Sequence, residues 1–135
     1  MNVPEAPFVL HLPNVMHLAT DVAAVSADDA SSLTLAASLH PSAAVGGTPT
    51  ARAVALIAEL EHMDRGRYAG PVGWMDAHGD RAWGIALRSG AYATDDPSQI
   101  TLYAGCGIVA GSDPESEVAE SDAKLIPMRD ALASD

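Results

Sequence analysis

The chain has 135 residues, 48% of them hydrophobic and 19% charged, which is the composition of one folded domain and not of a disordered tail. Seven Lys and Arg stand against eighteen Asp and Glu, a net charge of −11, and this excludes nucleic acid as a partner because phosphate binding is driven by clustered cations. No apolar run approaches the roughly 20 residues that span a bilayer, and the N-terminus lacks the basic, apolar, small-residue order of a secretory signal, so the expected location is cytoplasmic with no membrane partner.

Residues 1–14 carry three prolines and no hydrophobic period, so they read as an extended lead-in to a domain expected over 15–135. Val15 to Val25 is rich in β-compatible residues and reads as a strand. Ser26 and Asp29 have capping-box spacing, and Leu33, Ala36, Ala37 and His40 then follow a helical period that Pro41 closes. His40 at that helix end offsets the dipole in the simplest reading. Next comes the glycine turn Ala44-Val45-Gly46-Gly47-Thr48-Pro49-Thr50, with Thr48 as N-cap and Pro49 at the first helical position. Val54, Ile57, Leu60 and Met63 give the following helix its apolar stripe and leave Glu59 and Glu61 to solvent.

A loop over 64–71 leads to a short strand, Val72 to Met75, a hairpin turn over 76–80, and an alternating strand, Arg81 to Ser89. On that strand Trp83, Ile85 and Leu87 share one face, and Ala82, Gly84, Ala86 and Arg88 the other. Small residues ending in Arg leave room above a sheet, and guanidinium is a bidentate clamp for a carboxylate. A lone Arg at a strand end is otherwise a solvated rim residue. The turn at Asp95-Asp96-Pro97-Ser98 precedes a last strand, Ile100 to Ala104.

The stretch from Ala104 to Lys124 is the most informative. It reads as a strand end, a turn containing Gly105, Gly107 and Gly111, and a helix start capped either by Ser112 with Glu115 or by Asp113 before Pro114. Cys106, the sole cysteine, excludes an internal disulfide and a cysteine-based zinc site, and in this turn it reads as a small packing residue. Glu117, Glu120 and Lys124, spaced i, i+3, i+7, share one helix side beside the stripe of Val118, Leu125, Met128 and Leu132. Spacing leaves two readings open: a surface ion pair with acids favouring the helix dipole, or a ligand site where backbone N–H groups meet a helix N-terminus. The order of elements predicts an α+β layer, mostly antiparallel strands with helices packed on one side.

Three motifs together resemble the chorismate-utilising enzymes, and among them the isochorismate synthases of siderophore and menaquinone pathways. They are His40-Pro41 through Val45-Gly46-Gly47-Thr48-Pro49, then Asp64-Arg65-Gly66-Arg67-Tyr68-Ala69-Gly70-Pro71-Val72-Gly73-Trp74, then Ala104-Gly105-Cys106-Gly107-Ile108-Val109 with Glu117, Glu120 and Lys124. The resemblance, from about Phe8 onward, implies the C-terminal portion of the chorismate-binding (anthranilate/isochorismate synthase-like) fold and a chain that carries part of a larger site.

It further implies that Tyr68, Arg88, the Gly105 N–H and Lys124 hold the carboxylates of chorismate, that His40 and Thr48 line the pocket, and that Glu120, with Glu117 beside it, binds Mg²⁺. Isochorismate formation adds water at one ring carbon while a hydroxyl leaves another, which requires a base and an acid. In relatives these are a lysine and a glutamate ahead of the segment matched here. Lys124 is the sole lysine and is already assigned, so no catalytic acid–base residue is expected in this chain, and a preceding N-terminal segment is the expected partner. Salicylate, anthranilate and aminodeoxychorismate synthases share the same clamp and stay open as alternatives, as does a non-catalytic truncated remnant.

Overall fold

The computed structural model describes residues 1–11 and 16–133. The chain divides into two compact units, Met1–Ser31 and Ser32–Asp135. In the first, β1 (Phe8–His11) pairs antiparallel with β2 (Met16–Ala19), and an isolated bridge joins Asn2 to Ala23. The stretch expected as a bare lead-in thus contributes a strand, because Phe8-Val9-Leu10 is a β-compatible run between Pro7 and Pro13. The strand expected over 15–25 is shorter; its first residue lies outside the described residues. Ser26 and Asp29 do not form a capping box. Asp28 instead accepts from the Ala30 N–H and the Ser26 hydroxyl, a local turn that ends before the helix begins at Ser32.

In the second unit, α1 (Ser32–Leu39) ends where expected, with the His40 N–H still bonded to the Ala36 carbonyl before Pro41. A single helical turn, α2 (Ala43–Gly46), occupies the start of the glycine turn, and α3 (Thr50–Leu60) follows. The N-cap is Pro49 and not Thr48, and Pro49 offers no capping side chain. The Thr50 hydroxyl turns back to the Gly47 carbonyl at 3.0 Å instead. Gly47 has φ 74 and a Cβ there would meet Ala53 at 2.8 Å, so glycine is required for both angle and space.

The remaining strands are antiparallel, and among the described residues they form two-stranded ribbons instead of one layer. β3 (Pro71–Met75) pairs with β4 (Arg81–Ile85), and β5 (Ser89–Tyr92) with β6 (Ile100–Tyr103). The expected strand Arg81–Ser89 is therefore split. Arg88 adopts φ 48, which breaks the extended path and starts a new hairpin at Ser89. Arg88 consequently does not continue a strand face with Ala82 and Gly84.

Trp83 sits across from Gly73, and its indole N–H donates to the Ser32 hydroxyl at 3.0 Å, tying the hairpin to the start of α1. The opposite hairpin face carries Val72 and Trp74 over Gly84 and Ala82, and it is open, with Val72 58% and Trp74 55% exposed. Finally α4 (Pro114–Ala133) follows the glycine turn. Asp113 caps it, accepting from the Ser116 N–H at 2.9 Å and the Ser116 hydroxyl at 2.8 Å, with Pro114 at the first helical position. Of the two caps read in the sequence, this is the one used. Ser112 instead accepts from the Val109 N–H.

Among the described residues only Gly46 and Ala69 are buried. Ala69 achieves this with φ 62, its N–H on the Ala86 carbonyl and the Ala86 N–H on the Gly70 carbonyl, so the loop before β3 is stitched to the end of β4. That stitch fixes Tyr68.

Candidate functional site

Segments distant in sequence meet at the corner between β6 and α4. Lys124, on the third turn of α4, donates from Nζ to the Gly105 carbonyl at 2.9 Å and pairs with Glu120 at 2.5 Å. Its side chain is 23% exposed against 55% for Glu120, so the ammonium is the sheltered partner. The Tyr68 hydroxyl lies where a Cβ on Gly105 would approach it to 3.0 Å; the missing side chain makes the room it occupies. Among the described residues the Gly105 N–H has no hydrogen-bond partner. Three of the four expected carboxylate contacts are therefore together.

Tyr68 is half-buried and its ring stacks on Tyr103, centroids 5.2 Å apart and planes 19° from parallel. The Arg65 guanidinium lies over the same ring, 5.6 Å from the centroid. Arg65 is itself held by Glu61, with Nε on Oε2 at 2.7 Å and a second, shorter contact from Nη2 to Oε1. Loss of water around the phenol pushes its pKa above the ordinary value; the positive charges of Arg65 and Lys124 act against that rise and the Glu61 charge adds to it. Tyr68 is accordingly a neutral hydrogen-bond donor across the neutral range. Glu61, the residue that caps the C-terminal end of α3, is held below the usual glutamate range by its bond from Arg65, so it is a paired residue and not the solvated one the helical period implied.

Glu117 stands one turn before Glu120. Its carboxyl is held below the ordinary range by hydrogen bonds from Ser112 and from Cys106, and by the charge of Lys124. Cys106 packs where expected, its thiol 3.5 Å from the Glu117 carbonyl and receiving the Ser121 hydroxyl at 3.4 Å. Among the described residues no group of three or more His, Cys, Asp or Glu is gathered so as to hold a metal ion. Glu120 and Glu117 offer two hard oxygen donors at most. That is the share Mg²⁺ ordinarily takes from protein carboxylates, with water and substrate oxygens completing its shell, so the donor set fits a partial site.

His40 lines a cleft of about 350 Å³ together with Val45, Ile57, Glu61, Arg65 and Tyr68. Thr48 is exposed and does not line it. Arg88 is exposed at the junction of β4 and β5, and among the described residues it makes no ion pair. Glu61, Arg65 and Tyr103 were missed as site residues. The i, i+4 spacing of Glu61 and Arg65 runs past the end of α3, and Tyr103 is two residues before Gly105, so the signals were present but uninterpretable without the loop's path.

An ammonium, a neutral phenol and a free N–H around a glycine turn are groups that bind small carboxylates, here on an α+β domain. The chain belongs to the chorismate-binding enzymes: the family described as "Chorismate binding enzyme" matches residues 1–133. It is 42% identical over 134 residues to the salicylate biosynthesis isochorismate synthase of Pseudomonas aeruginosa, covering 99% of this chain and 28% of that protein. It is 40% identical over 132 residues to isochorismate synthase MenF of Bacillus subtilis, 98% of this chain and 27% of that protein. With isochorismate synthase EntC of Escherichia coli K12 it shares 38% over 128 residues, 95% of this chain and 32% of that protein. The chain thus spans about a third or less of these relatives, as a C-terminal portion would. Among the described residues no helix is long and apolar enough to cross a membrane.

Proposed function

We propose that this chain is the carboxylate- and metal-binding portion of an isochorismate synthase-type enzyme acting on chorismate. The observation that carries the proposal is the meeting of the Tyr68 hydroxyl, Gly105 and Lys124 at one glycine turn, in a chain about 40% identical to isochorismate synthases. Lys124 and the Gly105 N–H bind one carboxylate of the substrate, and the Tyr68 hydroxyl donates to it. Glu120 and Glu117 hold Mg²⁺, which supplies positive charge to substrate oxygens when bound. Lys124, paired with Glu120 and donating to a carbonyl, serves as a fixed cation and not as a general base. The water-activating base and the acid for the departing hydroxyl come from residues outside the chain.

The test is calorimetry with chorismate and Mg²⁺ on this chain mixed with the unmatched portion of the Pseudomonas relative, followed by chromatography of the products. Mg²⁺-dependent binding and isochorismate are expected. Glu120→Gln should weaken the Mg²⁺ dependence while leaving the far-UV circular dichroism unchanged. Absence of binding, or an Mg²⁺ titration that Glu120→Gln does not move, overturns the reading.

A further inference from the structure

The residues that hold Tyr68 are not those expected to touch substrate. A phenol on a loop can aim its hydroxyl only if its ring is fixed; the Tyr68 N–H on the Arg65 carbonyl and the Ala69 and Gly70 bonds to Ala86 hold the main chain there, but not the ring. The ring is fixed by the stack on Tyr103 and by the Arg65 guanidinium, and Arg65 is held by Glu61 at the C-cap of α3. Tyr103 ends β6 and leads through Ala104 into Gly105. The residue that stacks on the phenol ring is therefore two residues from the backbone that the phenol hydroxyl approaches.

The geometry points to Tyr103 and the Glu61–Arg65 pair as positioning residues that clamp the Tyr68 ring and set its hydroxyl against Gly105. The inference rests on the reading of Tyr68 as a substrate contact. The bidentate bond holds the Nε and Nη2 edge of Arg65 on Glu61, which fixes the guanidinium with its flat cationic face over the Tyr68 ring. An aromatic ring suffices at 103: the stack uses the π-face of Tyr103, and its hydroxyl has no part in it.

The experiment follows Tyr68 itself, in the full chain, by NMR of ring-labelled tyrosine, with the Tyr68 signal assigned by its loss in Tyr68→Phe. In Tyr103→Leu the Tyr68 ring signal should lose its ring-current shift and its titration should move down towards ordinary tyrosine. Tyr103→Phe should restore both. In the binding mixture described above, Tyr103→Leu should weaken chorismate about tenfold and Tyr103→Phe should not, with Glu61→Gln in between. A Tyr68 signal unmoved by Tyr103→Leu overturns the clamp, whatever the ligand does. Binding lost in Tyr68→Phe but intact in Tyr103→Leu overturns the positioning role and spares the substrate reading. Binding intact in Tyr68→Phe removes Tyr68 from the substrate, and the ring signal then decides the clamp alone.

Discussion

The β3–β4 hairpin and the corner around Tyr68 are built on opposite principles. The hairpin is local: its strands are joined by the Asp76–Asp80 turn, in which one Asp76 carboxylate oxygen accepts from the N–H groups of both His78 and Asp80 at 2.9 Å, and Gly79 takes φ 88. Every one of those features is specified within fifteen residues, and the hairpin still leaves Val72 and Trp74 open. The Tyr68 corner draws on α3, the loop after it, β6 and α4, and shelters its ammonium and phenol. Local chemistry makes an element, whereas a site with a stable charge pattern needs segments that are far apart in sequence.

The sharpest way to break the hairpin is Gly73→Ala. A Cβ there would stand 2.1 Å from the Ala82 carbonyl oxygen and 2.6 Å from the Trp83 ring, and a ladder carbonyl cannot move aside without breaking the pairing. The expected loss is about 3 kcal/mol, at the upper end for overpacking. It is read as a lowered melting temperature with loss of the Trp83 near-UV signal. A melt within a degree of wild type would mean the two strands are not paired in this register.

The corner should respond differently to the same change. At Gly105 the new Cβ meets only the Tyr68 hydroxyl, at 3.0 Å, the end of a side chain that can yield by a few tenths of an ångström. Gly105→Ala should therefore leave the melt close to wild type and weaken chorismate binding about tenfold, a cost of roughly 1.4 kcal/mol. Gly107 is the control, since nothing lies within 4 Å of a Cβ there and its φ is not positive. Gly107→Ala should change neither. Equal binding by both variants would separate the Tyr68 hydroxyl from the substrate.

What could be read in advance follows the same division. The hairpin turn, the end of α1 before Pro41 and the last strand are all written in adjacent residues and were legible, and the start of α4 was legible to within the choice between two caps. The convergence of Tyr68, Gly105 and Lys124 was legible only as a resemblance, because no spacing rule links residues 68, 105 and 124. Arg88 shows why periodicity fails at junctions. Its place in an alternating run is real, but the run crosses from one hairpin to the next, and a single residue with φ 48 turns its side chain out of the pattern. Thr48 shows the same at a cap, where the proline beside it took the position. The Glu61–Arg65 pair was hidden because a charge on an amphipathic helix reads as solvated until the following loop folds back over it.

The smallest effect separates the regions by pH. Glu61 has a folded pKa below its unfolded one, so the stability it contributes is present above about 4.5 and is lost as pH falls through the folded value. Its side chain is 33% exposed, and screening by water holds that contribution to well under 1 kcal/mol. Tyr68 has the opposite sign: its folded pKa is raised, so its contribution is complete below about 10 and is lost as pH rises through the folded value. The corner is thus weakened at both extremes, while the Val72/Trp74 face of the hairpin carries no titrating group. Glu61→Gln should flatten the fall in melting temperature between pH 6 and 3 without altering the alkaline limb, and Tyr68→Phe should do the reverse. Both limbs unchanged in both variants would show that the Glu61–Arg65–Tyr68 chain is not formed in solution.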